Sequence, residues 1–504
     1  MIDPMQPVDS AINTIYHTMK AFSNFMTAVG LLLAAGCSNP PGRADVVDPT
    51  IGGVSVLLET TRQTIHRPNC MLRFVPLRTD MLDDWIDDFS LQMPNHRRHW
   101  VFGIMPFSGQ DPAAEWSSPG VVENEETHPY YYRVRLDGAA FEFAPSERSG
   151  IVRMAFDGPA MVRFRTISPD GGYSCDGKRT VSGTALFGVG ENPQPSVAYL
   201  YAEFDQDILS VATPDGDARH LMAMFPEGSG NLLMRYGISY ISVEQAEENL
   251  RKEIPSFDFE SVKAEAKDAW EDRLGQIEVQ GGSQSHLRTF YTALYRCSER
   301  MVDINEHGSY YSAWDREVHR TEAPFFVDNW VWDTHIALEP LQTILNPAME
   351  VEKINSFIEM YRQSGVWPRF ALTSGEWAAM TGNYSAVWLL DAWKKGLRFD
   401  LQTAYEGLRK NSLERTLLPW RSGPCTPLDD FYNTNGYYPA LRPGEAETIP
   451  EVDTGWEKRQ AVSLTTTASY CDWALSNLAD TLGLEDDAAL FRRRSENWKN
   501  VFRI

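Results

Sequence analysis

Two tryptophans and two aspartates stand within "VDNWVWDT" (327–334), namely Asp328, Trp330, Trp332 and Asp333. An indole can stack on the C–H face of a sugar ring, and a carboxylate can accept paired hydrogen bonds from neighbouring hydroxyls. Trp332 and Asp333 offer both functions on adjacent residues. The plain alternative is a helix start, with Asp333 as cap and Trp332 as a staple into the core. Further along, "QSGVWPRF" (363–370) and "SGEWAAMTGNYSAVWLLDA" (374–392) place Trp367, Glu376, Trp377 and Asp391 in loops or at helix ends. In a ring of helices such ends face one central cleft. Glu376 or Asp391 could act there as general acid or base, although a solvated or ion-paired carboxylate is the commoner state. Inverting glycoside hydrolysis needs two carboxyls roughly 6.5–9.5 Å apart, a separation that spacing along the chain does not report.

Other motifs carry less. "TDMLDDWIDDF" (79–89) is rich in aspartate but lacks the spaced ligands and glycine of a calcium loop, so it reads as mostly a solvated face. "NHRRH" (95–99) has two histidines and no third metal ligand in view. "FGVGENP" (187–193) has only two glycines of a dinucleotide fingerprint and no helix after it. A phosphate loop, a GxSxG elbow and an HExxH motif are all absent from the sequence. With 46 basic and 69 acidic residues the net charge is −23, which disfavours nucleic acid and anionic membrane surfaces but not neutral polyols.

The elements that must position these residues change character along the chain. "MKAFSNFMTAVGLLLAAGC" (19–37) has a basic start, a short apolar run and small residues before Cys37, the pattern of an export signal. Its end resembles a bacterial lipobox, which implies an exported lipoprotein, periplasmic or outer-membrane-anchored, lipidated at Cys37; the alternative is an ordinary cleaved signal. Residues 1–37 therefore read as an upstream extension plus signal and 38–45 as a tether, and no later segment is apolar enough to cross a membrane. The other cysteines (Cys70, Cys175, Cys297, Cys425, Cys471) form no CxxC pair. From 46 to 243 short alternating runs broken by Gly, Pro and Asp turns predict a β-sandwich. Residues 244–284 read as a helical linker. From 285 to 504 helices with 3.6-residue periodicity, separated by aromatic, Pro-rich loops, predict part of a helical toroid. About six or seven helices are readable, where a closed barrel of paired helices needs about a dozen. The last, with Leu490, Phe491, Trp498, Val501 and Phe502 on one face, is expected to need a partner.

Taken in order, "VDPTIGG" (47–53), "HPYYYRVRL" (128–136), "SERSGIVRMAF" (146–156), "GISYISVEQAEENLRKEI" (237–254), "FYTALYRC" (290–297), "WDTHIALEPL" (332–341), "MTGNYSAVWLLDAWKKGLRFD" (380–400) and "NGYYPA" (435–440) resemble glycoside hydrolase family 92. These are calcium-dependent, inverting, exo-acting α-mannosidases. The resemblance implies a β-sandwich followed by an (α/α)6 toroid, incomplete in this chain, with mannose-containing glycans such as N-glycans as substrate. It assigns Trp332 and Asp333 to the mannose-binding subsite, while Trp367, Glu376 and Asp391 remain candidates from their placement in loops or at helix ends. Loops from the sandwich are expected to bring Asn69, His96 and Arg97 to the same pocket. The chain departs from the family at His335, Ile336 and Ala337, where Tyr-Arg-Thr is common, and at Cys471, where Asp is usual. The family's acid glutamate, aspartate base and most calcium ligands lie beyond the helix ending near Phe502. The expectation is therefore a domain cut short, with no catalytic residue of its own and no hydrolysis if 504 residues are the whole product. A non-catalytic glycan-binding protein on the same scaffold and another (α/α)6 glycosidase are the alternatives.

Overall fold

Short strands that alternate in polarity need a second layer to cover their apolar faces. A computed structural model describes residues 42–55, 60–96, 98–188, 195–452, 454–455 and 458–502. Cys37, the export signal and Arg97 lie outside the described residues. The N-terminal half forms two antiparallel sheets. The six-stranded one runs, in spatial order, Val75–Leu77, Asp88–Gln92, Phe102–Ser108, Ala160–Arg165, His220–Met224, Ser210–Ala212. The nine-stranded one runs Gly172–Cys175, Thr180–Phe187, Ser196–Phe204, Asn231–Ser239, Ser149–Phe156, Ala139–Pro145, Tyr131–Leu136, Gly120–His128, Trp85–Ile86. Strands 180–187 and 196–204 alternate strictly between buried and half-buried positions, so one face of each turns inward. Between the sheets Phe89 stacks on Phe141 and Phe74 on Phe143, each pair with ring centroids 4.0 Å apart.

In the aspartate-rich 79–89 segment, read as mostly a solvated face, Asp84 and Asp87 are exposed and Asp80 and Asp83 half-buried, but Asp88 is the exception and is fully buried. Its carboxylate pairs with Arg163 at 3.1 Å and with Arg165, and Arg163 in turn donates to the carbonyls of Glu115, Ser118 and Asp87. A buried charge survives only with such partners, and both arginines come from a strand 75 residues away.

After the short helix Arg43–Val46, the first long helix begins at Val243, capped by Ser242, whose hydroxyl accepts from the Gln245 amide. This long helix lies directly on strand 231–239. At Gly237 an added Cβ would fall 2.1 Å from the Ala246 carbonyl oxygen, so only glycine permits the approach. Helix Phe259–Leu274 buries Phe259, Val262, Ala266, Trp270 and Leu274 along one stripe. From Gln284 onward the described residues hold eight helices of eight or more residues: Gln284–Arg296, Leu338–Leu345, Pro347–Ser364, Ser385–Lys394, Leu401–Glu414, Pro427–Asn435, Ala461–Leu482 and Glu485–Arg494. Two of them exceed the sequence reading. Pro427–Asn435 carries plain signals, with Pro at its first turn, a Thr426/Asp429 capping box and Gly436 in the left-handed region at its end. Leu338–Leu345 is masked by its Pro340 and by the motif before it. The last helix stops at Arg494, and a 3-10 turn follows at Asn497–Val501. Phe491 is buried, while Trp498 and Phe502 are exposed. No helix among the described residues is long and apolar enough to cross a membrane.

Candidate functional site

The loops of the helical half are partly sheet. Asn329–Trp330, Phe370–Leu372 and Gly375–Glu376 form a three-stranded antiparallel sheet, with Trp330 opposite Phe370 and Glu376 opposite Ala371. That pairing gathers aromatic rings otherwise far apart in sequence. Trp330 lies 6.1 Å from Phe370 and 5.8 Å from Trp377 between centroids, and Trp377 lies 5.5 Å from Trp420. Two guanidinium groups cap the cluster, Arg98 at 4.4 Å over Trp377 and Arg300 at 4.9 Å over Trp330. The Trp330 Nε1 has no hydrogen-bond partner among the described residues.

The sandwich contributes one wall. The segment after strand 88–92 is fixed by Arg73, whose Nε and Nη2 donate to the carbonyls of Met93 and Pro94. Its Nη1 donates to Asp328 Oδ2 at 2.5 Å, and the same oxygen accepts from the His96 amide at 2.7 Å. Asn95 Oδ1 accepts from the Thr373 amide, and the Thr373 hydroxyl donates to the Pro94 carbonyl. The His96 ring then stands edge-on to Trp330 at 6.0 Å, with its Nδ1 3.8 Å from Glu299. Backbone strain collects at this seam. Asn69, His99, Asp328, Met380 and Trp420 all hold φ between +52° and +65° without being glycine, each at a cost of roughly 1–3 kcal/mol.

Trp332 and Asp333 sit beside this cluster on a single turn, Val331–Thr334, that starts from Trp330. The N-cap of this turn is Trp330 rather than Asp333, and Trp332 is no staple, since Val331 and Thr334 face inward while Trp332 is 38% exposed and Asp333 is exposed. Trp332 shares a narrow crevice with Pro368, Arg369, Phe370 and the segment 381–385. At the departure from the family pattern, His335 stacks on Tyr384 at 4.3 Å and its Nδ1 lies 2.9 Å from the Val331 carbonyl. Burial pulls its pKa below the ordinary value. Glu376 accepts from the Arg369 amide at 2.9 Å. Burial pushes its carboxyl up to about 7, against the opposing pull of the Arg369 guanidinium.

The remaining candidates scatter. Trp367 is a core residue, 1% exposed and packed against Phe357 and Tyr361, so it does not face the cleft. Asp391 pairs with Lys395 one turn away on its own helix, at 2.5 Å. Asn69 is buried with its amide spent, Nδ2 donating to the Met301 carbonyl and Oδ1 accepting from Arg273. It braces the seam rather than lining it. Sequence reasoning missed Arg73, Glu299, Arg300 and Trp420, whose roles rest on contacts between distant segments. Arg98 had a signal, since it lies in the 95–99 motif weighed for a metal.

Calcium takes six to eight oxygen ligands. Among the described residues no group of three or more His, Cys, Asp or Glu side chains is placed to hold a metal ion. The described residues therefore do not supply a calcium set from their acidic side chains.

The sandwich and the helical domain that meet at this tryptophan-lined seam both match one family of carbohydrate-active enzymes. Residues 46–239 match the glycosyl hydrolase family 92 N-terminal domain, and residues 245–504 match the family's catalytic domain. The chain belongs to glycoside hydrolase family 92. An inverting mannosidase of this family from Bacteroides thetaiotaomicron superposes with a TM-score of 0.81 at 26% identity, over 92% of this chain and 65% of that one. A second alpha-mannosidase from the same organism, solved in complex with mannoimidazole, shares the fold at a TM-score of 0.77 and 19% identity, over 91% and 64%. A protein described as an uncharacterized secreted glycosidase from Arthroderma benhamiae is 25% identical over 292 residues, 55% of this chain and 31% of that protein. The chain thus spans less than two thirds of the length of each of these relatives.

Proposed function

We infer that this protein serves hydrolysis of α-mannosides in mannose-containing glycans such as N-glycans, and that its own contribution is the terminal-mannose subsite. The carrying observation is the pair of exposed neighbours, Trp332 and Asp333, presented on one turn at the edge of the Trp330–Phe370–Trp377–Trp420 cluster. In this reading the Trp332 indole takes the apolar face of the ring and Asp333 takes two hydroxyls. His96 closes the site from the sandwich side. The inverting relative supports the same stereochemical course here, in which a base-activated water attacks opposite the departing glycan. Calcium dependence and export, with lipidation at Cys37, belong to the same proposal. The description of a relative as secreted supports export.

The cleft carboxylates in hand are poorly placed to be that acid and base. Asp328 is held by Arg73, Glu299 by Arg296 and Glu376 by Arg369. The expectation for this chain is binding without turnover. Titration of the purified protein with methyl α-D-mannopyranoside, alongside an assay for release of nitrophenol from its α-mannoside, tests this. Binding of the mannoside and not of the α-glucoside supports the reading. Preference for glucoside overturns it in favour of another glycosidase specificity, and turnover would show that a catalytic pair lies within these residues.

A further inference from the structure

Directly behind the Trp332 turn lies a set of charges that the sugar site as described does not use. Glu339, Glu350 and Lys353 are each no more than 1% exposed. The Lys353 ammonium lies 3.4 Å from Glu339 Oε2 and 3.3 Å from Glu350 Oε2. Glu350 Oε1 accepts from Trp388 Nε1 at 2.6 Å. Glu339 Oε1 accepts from Asn329 Nδ2 at 2.9 Å, and Asn329 Oδ1 accepts from the Thr334 hydroxyl at 2.8 Å. Both ends of the Asn329 amide are therefore committed. They tie the residue before Trp330 to the residue after Asp333, closing the turn like a clasp.

Two helices could be held together more cheaply by apolar packing, since swapping a buried ion cluster for well-packed hydrophobic residues is often neutral or stabilising. What apolar residues cannot do is fix the orientation of an amide. A carboxylate accepting at Oε1 and anchored at Oε2 leaves Asn329 one orientation, and Asn329 leaves Thr334 one rotamer that satisfies its hydroxyl. Trp332 and Asp333 lie between these two clamped residues.

We propose that Glu339, locked by Lys353, is a positioning residue that acts through Asn329 and Thr334 to hold Trp332 and Asp333 in the geometry that receives the sugar. The sugar half of this proposal rests on the function inferred above. The clasp itself does not.

The test pairs two readouts on the full protein carrying Glu339→Gln, Thr334→Val, Glu350→Gln or, as a remote destabilised control, Phe89→Ala. Hydrogen exchange of the segment 329–335 reports the turn with no sugar present. Glu339→Gln and Thr334→Val are expected to speed exchange there by about tenfold or more, whereas Glu350→Gln and Phe89→Ala leave that segment as in the wild type. Titration with methyl α-D-mannopyranoside is expected to show about tenfold weaker binding for the first two variants and unchanged binding for the last two. Unchanged exchange in Glu339→Gln and Thr334→Val overturns the clasp. Faster exchange with undiminished affinity overturns its link to the sugar. If the wild type binds no mannoside, the inferred function fails while exchange still judges the clasp. Thr334→Val leaves every charge in place, so it remains decisive if Glu339→Gln fails to fold.

Discussion

Arg73 and Asp328 meet at 2.5 Å across the seam between sandwich and helical half, with 1% and 0% of their side chains exposed. The backbone of Met93, Pro94 and His96 on the sandwich side of the cleft is tied to this pair. Arg73 spends its other donors on the carbonyls of Met93 and Pro94, and Asp328 also takes the His96 amide. Asp328 holds its left-handed φ of +65° under these ties.

Removing one partner leaves a buried charge without compensation. Arg73→Ala is expected to cost about 3–5 kcal/mol of stability, read from chemical denaturation. Asp328→Asn should cost less, because asparagine tolerates the left-handed region and keeps an acceptor for the His96 amide. The double variant Arg73→Ala/Asp328→Asn should be about as stable as, or more stable than, Arg73→Ala alone. Strict additivity between the two sites would mean that the pair does not act as a unit.

At the sugar site, Trp332→Ala should weaken methyl α-D-mannopyranoside binding by about tenfold, equivalent to about 1.4 kcal/mol, with little change in melting temperature because the ring is 38% exposed. Asp333→Asn should cost about 1.5–3 kcal/mol of binding as charge-assisted hydrogen bonds are lost. Trp367→Phe supplies the contrast. It should lower stability and leave affinity alone, since Trp367 belongs to the core. Affinity that follows Trp367 rather than Trp332 would relocate the subsite.

The contact between the first long helix and the sandwich has its own weak point. Gly237→Ala drives a methyl to 2.1 Å from the Ala246 carbonyl oxygen and 3.0 Å from the Leu250 amide nitrogen. Neither is a flexible side chain, so the helix must shift. A loss of about 1–3 kcal/mol is expected, together with faster amide exchange across 243–253. A neutral outcome would mean the helix is free to slide on the sheet.

What could be read from the residues followed what is local. Alternation along 180–187 and 196–204 marks strands, and Gly365 at φ +70° ends a helix where its sequence says it should. The family resemblance carried the order of sandwich and helices, and the matches over 46–239 and 245–504 agree with it. Burial of single residues was not legible, because it depends on what arrives from elsewhere. Trp332 and Trp367 both stand near prolines or short turns with similar neighbours, yet one is exposed and the other is core. Asp88 looks like its solvated neighbours until Arg163 and Arg165 are brought to it. The Glu339–Lys353–Glu350 cluster spans two helices, one of which the sequence pattern concealed behind Pro340.

That cluster predicts a pH dependence with a definite sign. Two carboxyls and one ammonium buried together leave an excess negative charge. Burial, opposed by Lys353 and reinforced by Glu339, pushes the Glu350 carboxyl up to about 8. The unfolded chain releases that proton near 4.5. Between these values the native state binds a proton that the unfolded state has lost, so this group's contribution to stability falls as pH rises, then levels above about 8. Glu376 and Glu306, each pushed to about 7 by burial, act in the same direction over a narrower window. His66, buried and pulled down to about 4, acts in the opposite direction up to about 6.5. Comparing the wild type with Glu350→Gln cancels those shared contributions. The amide mimics the protonated carboxyl and keeps an oxygen to accept from Trp388. The variant's advantage in melting temperature should therefore be small near pH 5, grow toward pH 8 and stay level beyond. An advantage that does not change across this range would show that the folded cluster takes up no extra proton and that Glu350 stays ionised beside Lys353.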